Sequence, residues 1–307
     1  MDLVNGGYGP ADGISGRPAR GATGMPMVAM YHSVSPYEQD PYLVTVTPER
    51  FERQMRWLRR RGLRGVSVAD MLAACREGAG RGLIALTFDD GYADFLEYAL
   101  PILTRYGFGG TVFPIAGRLG GRNDWDVLGP RKPLMSADQV RRAADAGVEI
   151  GSHGLRHTSL RGLASAELIA EAEESRAILA ATIDREIAGF CYPYGHLDEE
   201  AVAAVQGAGY SYGCAIWRSA STGPHALPRV YVGDSDGPAR LWAKSARHWL
   251  TWDYRGPGAA RFGRLRGVSG PSVPSGPVSP GGTEGAGGAV APTSEDASRP
   301  DGIQHLT

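Results

Sequence analysis

The stretch LIALTFDDG, residues 83–91, decides how this sequence is read. From Leu83 to Phe88 it carries no charge, and it then ends abruptly in Asp89-Asp90-Gly91. An unbroken apolar run closed by a turn is the pattern of a strand covered on both faces, as in a parallel sheet. Two adjacent carboxylates at the C-terminal end of such a strand are unusual. Their side chains leave the backbone in different directions, so one can bind a cation while the other handles a proton. Turn formation and capping are the plain alternative, because Asp and Gly favour both.

Working outward, the pattern repeats. Further strands are predicted over 27–31, 111–115, 148–152, 187–192, 211–216 and 229–232, with helical patterns between them. Thr47-Pro48-Glu49 reads as an N-cap, a first-turn Pro and a first-turn acid. Phe51, Met55 and Leu58 follow on one face, and Gly62 stops that helix. Ser136 opens another helix, closed by Gly147. Leu168, Ala172, Leu179 and Ile183 line a third, and Asp198 opens a fourth. Seven strands alternating with helices predict an α/β fold, most simply a distorted (β/α) barrel of about seven parallel strands.

The 44 Gly and 21 Pro are concentrated at the ends. Residues 1–24 read as a flexible leader, 25–254 as one catalytic domain, and 255–307 as a disordered tail rich in Gly, Pro and Ser. The tail offers too little apolar surface to offset its ordering entropy. A net charge of −1 supplies no field for nucleic acid. Three scattered Cys (Cys75, Cys191 and Cys214) suggest neither a disulfide framework nor a zinc knuckle. No apolar run is long enough for a membrane span, and the N-terminus lacks the features of a secretory signal, so a cytoplasmic location is expected.

Other chemistry-bearing residues also sit at predicted strand ends. The strand ending at Ser152 leads into His153-Gly154-Leu155-Arg156-His157, two His four apart in a turn. One carboxylate and two His make a three-donor cation site with open positions for water and substrate, a hydrolytic arrangement. Strand ends of a barrel share one face, where active sites lie. A third strand leads into Tyr192-Pro193-Tyr194-Gly195, either a groove floor or a plain turn. The first strand leads into Tyr31-His32. Trp125, in a loop on the same face, either stacks on a sugar ring or packs structurally. Trp242, Trp249 and Trp252 read as packing residues of a late helix.

These residues together resemble the polysaccharide deacetylase family, also called the NodB-homology group or carbohydrate esterase family 4. TFDDG at 87–91 and HGLRHTSL at 153–160, about 60 residues apart, are similar to its first two motifs, and YPYG at 192–195 to part of its third. The resemblance implies that Asp89 is the general base. It implies that Asp90, His153 and His157 hold a divalent metal, usually zinc and in some members cobalt or nickel. It also implies that the Tyr194 N–H stabilises the oxyanion. Tyr192, Pro193 and Trp125 are the candidate substrate contacts on the reading of the residues themselves. Cys191 stands where many members have an Arg that orients the base; Arg229 is the candidate substitute. Many members carry their acid His in a C-terminal Leu-x-His motif, and no convincing version follows Val232. Tyr31-His32 resembles the arrangement of a permuted branch, the poly-N-acetylglucosamine deacetylases, which makes His32 the candidate acid. The implied activity is N-deacetylation of an N-acetylated amino sugar or glycan. An O-acetyl esterase, a non-sugar amide hydrolase and a catalytically weakened carbohydrate-binding homologue are the alternatives.

Overall fold

The computed structural model describes residues 25–251. The expected leader and tail lie outside the described residues, as does Trp252. The strands are β1 (Val28–Tyr31), β2 (Ser33–Val34), β3 (Thr45–Val46), β4 (Arg64–Val66), β5 (Leu83–Phe88), β6 (Thr111–Val112), β7 (Glu149–Ile150), β8 (Gly189–Cys191), β9 (Tyr212–Cys214) and β10 (Val230–Tyr231). The α-helices are α1 (Pro48–Arg60), α2 (Val68–Arg76), α3 (Leu100–Tyr106), α4 (Ala137–Asp145), α5 (Ser165–Ile169), α6 (Ser175–Ile183), α7 (Glu199–Gly207) and α8 (Pro238–Thr251). Each of the seven predicted strands contains one of these, usually shortened at both ends. Short β2, β3 and β4 add to the expected set.

The predicted helix starts rest on side-chain caps. The Thr47 hydroxyl accepts from the Arg50 N–H, Ser136 and Gln139 form a reciprocal capping box, and Asp198 accepts from Ala201. On α1, Phe51, Met55 and Leu58 are buried as their spacing requires. Each such side chain stabilises the fold by roughly 1.5–3 kcal/mol through lost apolar exposure.

All strand pairings are parallel, and the main sheet runs β10-β1-β5-β6-β7, with β4 also on β5. β4 pairs with the first half of β5 and β6 with its last two residues, so both fit along one side of that strand. β8 and β9 form a separate pair. Single parallel bridges, Ser152 to Phe190 and Cys214 to Leu227, join the two sheets at the seams. The closed seven-stranded ladder expected from the sequence is therefore replaced by a six-stranded sheet and the two-stranded β8-β9 sheet, and β2 and β3 form a further parallel pair. The reason is local: the chain turns out of its strands after two or three residues, at Gly151-Ser152 and again at Pro193.

Strand alternation sets the site. Along β5, Ile84, Leu86 and Phe88 join the large core under the helices, whereas Leu83 and Ala85 join a second core with Val28, Cys191, Cys214 and Leu227. A period of two carries that second face on to Thr87 and Asp89. On β1 the same parity runs Val28, Met30, His32. The register pairs Tyr31 with Phe88, so His32 follows directly opposite Asp89.

The Trp residues of α8 depart from expectation. Trp242 and Trp249 are exposed, because Leu241 and His248 take the buried face instead. His248 Nε2 donates to the Met25 carbonyl at 2.7 Å, pinning α8 beside the start of β1. Burial first, and the charge of Arg218, outweigh that hydrogen bond and hold its pKa down at about 4. Unfolded His titrates near 6.5. The unfolded chain thus binds the extra proton between these values, and the stability that neutral His248 provides is complete above pH 6.5 and lost as pH falls towards 4. His248→Gln should flatten this loss, worth up to about 3 kcal/mol, in urea melts compared between pH 7.5 and 4.5.

Candidate active site

At the C-terminal end of β5 the two carboxylates separate as their positions require. Asp89 remains in strand geometry, its N–H bonded to the Tyr31 carbonyl at 2.9 Å. Asp90 is in the left-handed region with φ 66°. His157 and Tyr194 share that conformation, at φ 64° and 58°. Left-handed backbone costs a non-glycine residue on the order of 1–2 kcal/mol, and three of the five described cases lie here. Gly91 follows at φ 72° and is irreplaceable for a second reason: a Cβ there would lie 2.8 Å from the Pro114 Cα.

Asp89 is buried and held by Arg229 in a bidentate pair, Nη1 to Oδ1 at 2.6 Å and Nη2 to Oδ2 at 2.7 Å. The fork also reaches the Thr87 hydroxyl at 3.1 Å and the Ala215 carbonyl at 3.0 Å. Burial alone would raise the Asp89 pKa. The charge and hydrogen bonds of Arg229 outweigh it, and the carboxyl stays below its ordinary range. Arg229 enters from the residue before β10. Cys191 is fully buried, and burial pushes its thiol up, so it brings a neutral group beside Asp89. On the other side, His32 Nε2 lies 3.9 Å from Asp89 Oδ2, and its side chain is partly exposed.

Asp90 Oδ1 is buried without a hydrogen-bond donor, yet the Nε2 atoms of both His153 and His157 lie 3.3 Å from it. His153 Nδ1 sits 2.8 Å from the Cys191 carbonyl, which can only accept, so Nδ1 carries the proton and Nε2 of the neutral ring presents a lone pair. Three lone-pair donors aimed at one another, one of them an orphaned buried carboxylate oxygen, fit a divalent cation. Titration of the imidazoles agrees with a cation trap. Burial lowers the His157 pKa and keeps its ring neutral. Burial also works against a charged His153, but its contacts with Cys191, Asp90 and Asp89 outweigh it, so without a cation a proton takes the Nε2 position and a bound cation would displace it.

The aromatic residues frame this cluster. The His157 ring lies between Trp125, at 4.3 Å between centroids, and Tyr194, at 4.6 Å. Trp125 is half-buried and Tyr194 is 44% exposed, so both can meet a ligand. In the Tyr192–Gly195 turn, the Gly195 and His196 N–H groups donate to the Tyr192 and Pro193 carbonyls. The Tyr194 N–H takes part in neither bond. Tyr192 is a correction: it is fully buried, its hydroxyl donates to the His225 carbonyl at 2.8 Å, and it supports the turn from beneath rather than touching a substrate. Pro193 is buried with it.

Two supporting groups have no sequence signature of their own. Glu171 is 1% exposed, in a single π-turn (Ala170–Glu174) between α5 and α6. Its carboxylate accepts from the Leu155 N–H at 2.7 Å, the Arg156 N–H at 3.2 Å and Arg156 Nε at 3.0 Å. It thus ties down the turn between His153 and His157. Gly154 makes room for it, since a Cβ there would lie 2.9 Å from Glu171 Oε2. Glu171→Ala should weaken metal affinity roughly 10- to 100-fold in a chelator competition, as loss of outer partners does in other metal sites. An unchanged affinity would show that the turn holds itself. Lys132, one of only two Lys in the chain, donates to Ser33 Oγ at 2.6 Å, Thr45 Oγ1 at 2.8 Å and Ser35 Oγ at 3.1 Å. Ser33 donates in turn to Asp94 at 2.5 Å. Three converging hydroxyls suit a tetrahedral ammonium, not a planar guanidinium. The lysine so joins the chain after His32 to the loop carrying Trp125.

Comparison with known proteins agrees with this geometry. The sequence profile of polysaccharide deacetylases matches residues 76–213, from the end of α2 into β9. A putative polysaccharide deacetylase of Bacillus subtilis, YxkH, is 28% identical over 67% of this chain and 70% of its own length. Poly-β-1,6-N-acetyl-D-glucosamine N-deacetylase of Staphylococcus aureus is 23% identical over 62% of this chain and 68% of its own. Among solved structures, the Streptococcus pyogenes deacetylase PplD, in complex with acetate, shares the fold with a TM-score of 0.61 at 21% identity, covering 73% of this chain and 99% of that one. Motifs, profile and fold coincide on the same strand ends, and over residues 76–213 the chain is similar to the polysaccharide deacetylases.

Proposed function

We propose that this protein is a metal-dependent hydrolase that removes N-acetyl groups from an N-acetylated amino sugar or glycan. The observation that carries the reading is the juxtaposition, at one end of the sheet, of the Asp90–His153–His157 cluster with Asp89, which Arg229 holds and His32 faces. Asp90, His153 and His157 would hold the cation; zinc suits two imidazoles and a carboxylate, as do cobalt and nickel. Bound there, the ion would polarise the acetamide carbonyl and lower the pKa of a water molecule.

The protein's own groups would do the rest. Asp89 takes a proton from the attacking water at a carboxylate oxygen, and Arg229 keeps that carboxylate ionised and oriented. The Tyr194 N–H stabilises the oxygen that gains negative charge. An amine leaves poorly unless protonated, so His32 delivers a proton to the departing nitrogen. Trp125 and Tyr194 present ring faces on which a sugar can stack. The relatives named for poly-β-1,6-N-acetyl-D-glucosamine support N-acetylglucosamine as the sugar. Replacement of the expected Arg by Cys191 argues less for an inactive binding homologue once Arg229 pairs with the base. The test is a panel of N-acetylglucosamine oligomers and O-acetylated xylan fragments offered to protein loaded with zinc, cobalt or nickel. Acetate together with a new free amine supports the proposal; acetate from esters alone overturns it.

A further inference from the structure

The outer side of α8 is divided into two stripes. At 100° per residue, Trp249, Trp242, Ala246, Ala239 and Leu250 follow one another around the helix, with Arg247 and Arg240 beyond them. Leu241 and His248 occupy the opposite, buried side. Trp242 is 56% exposed, Trp249 40% and Leu250 86%. Arg240 and Arg247 are themselves exposed, and α8 contains no Asp or Glu. Arg240 donates to the Ser235 hydroxyl at 2.9 Å, and Lys244 is engaged with Asp236 and the Tyr231 carbonyl.

We propose that this face of α8 docks the protein on the surface of an anionic lipid bilayer. Three features select that occupant. Indole rings favour the boundary between headgroups and acyl chains. An apolar stripe edged by Arg on a helix lying flat is the pattern of an interfacial helix, and basic residues add attraction to anionic lipid. A second copy of this chain fits less well, because a two-fold contact through this face would set Arg240 and Arg247 against their own equivalents with no acid on α8 to pair with them. The position is also suitable. His248 packs beside Met25 at the N-terminal end of β1, so this part of α8 lies at the opposite end of that strand from His32. Docking there leaves the catalytic end of the sheet open to a glycan.

The experiment is co-sedimentation of the full chain with vesicles of phosphatidylcholine alone or with about one third phosphatidylglycerol. The protein should pellet with the anionic vesicles and be released by salt. Arg240→Gln/Arg247→Gln should bind about 30-fold more weakly, at roughly fivefold per lost charge. Trp242→Ala/Trp249→Ala should also be released, while each variant melts at the wild-type temperature. The proposal is overturned if the wild-type protein ignores anionic vesicles, or if both double variants pellet as well as wild type. It is equally overturned if sedimentation velocity shows a dimer that the Trp variant abolishes, since a second copy would then cover the face.

Discussion

Asp90→Asn protein is expected to fold, to retain almost no divalent metal after dialysis and to lose essentially all turnover. Asp90 supplies the anionic donor of the cluster, and both imidazoles converge on its Oδ1. Without it, two neutral His remain, too few to hold zinc against a chelator. Asn is the sharper substitution than Ala, because it tolerates the left-handed backbone at this position, φ 66°. A second consequence separates function from fold. In the metal-free state burial works against the Asp90 charge, but His153 and His157 outweigh it and hold the carboxyl well below its ordinary range, so the ionised group favours the fold. Metal-free Asp90→Asn should therefore melt below metal-free wild type at neutral pH, with the gap closing as pH falls through and below the ordinary carboxylate range. Full metal occupancy in this variant, measured by elemental analysis, would refute the assignment of Asp90 as a ligand.

His32→Ala should lower kcat by roughly 10²–10⁴-fold, the usual contribution of a general acid, while metal content stays at the wild-type level. His32 lies across from the base by strand register, with Nε2 3.9 Å from Asp89, and none of the three cation donors depends on it. Its side chain is partly open to solvent, where a departing amine could meet it. The split between lost turnover and retained metal distinguishes it from Asp90, His153 and His157. A variant turning over at nearly the wild-type rate would remove His32 from the mechanism.

Much of this site is legible in the amino-acid sequence, for a physical reason. In a parallel sheet the strand ends gather on one face, so correct strand ends suffice to bring Asp89, Asp90, His153 and His157 together. Register does the same for His32. The double Asp and the paired His are local in sequence, and local patterns are legible. Arg229 stands out only as a substitute for the Arg missing at Cys191; that it reaches Asp89 depends on β10 lying beside β1, which no spacing in the sequence reveals. Glu171 leaves no trace because it acts across a π-turn, and its carboxylate serves backbone N–H groups rather than a motif. Lys132 leaves a faint one, as one of two Lys in a chain otherwise rich in Arg. Tyr192 departs from its expected place against the substrate because it continues β8 inward in extended geometry, and the left-handed backbone at Tyr194, φ 58°, then turns that side chain out. Trp242 and Trp249 depart the other way: aromatic spacing along a helix does not say which side faces the core.

The central claim is that the Asp90–His153–His157 cluster and the Asp89–Arg229 pair together make an N-deacetylase. Acetate release from N-acetylglucosamine oligomers, followed on one preparation as purified, after chelation and after re-addition of zinc, cobalt or nickel, tests it most directly. Acetate and free amine are expected in equal amounts, abolished by the chelator and restored by at least one metal. Release indifferent to chelation, or oligomers bound with no acetate formed under any metal, would contradict it.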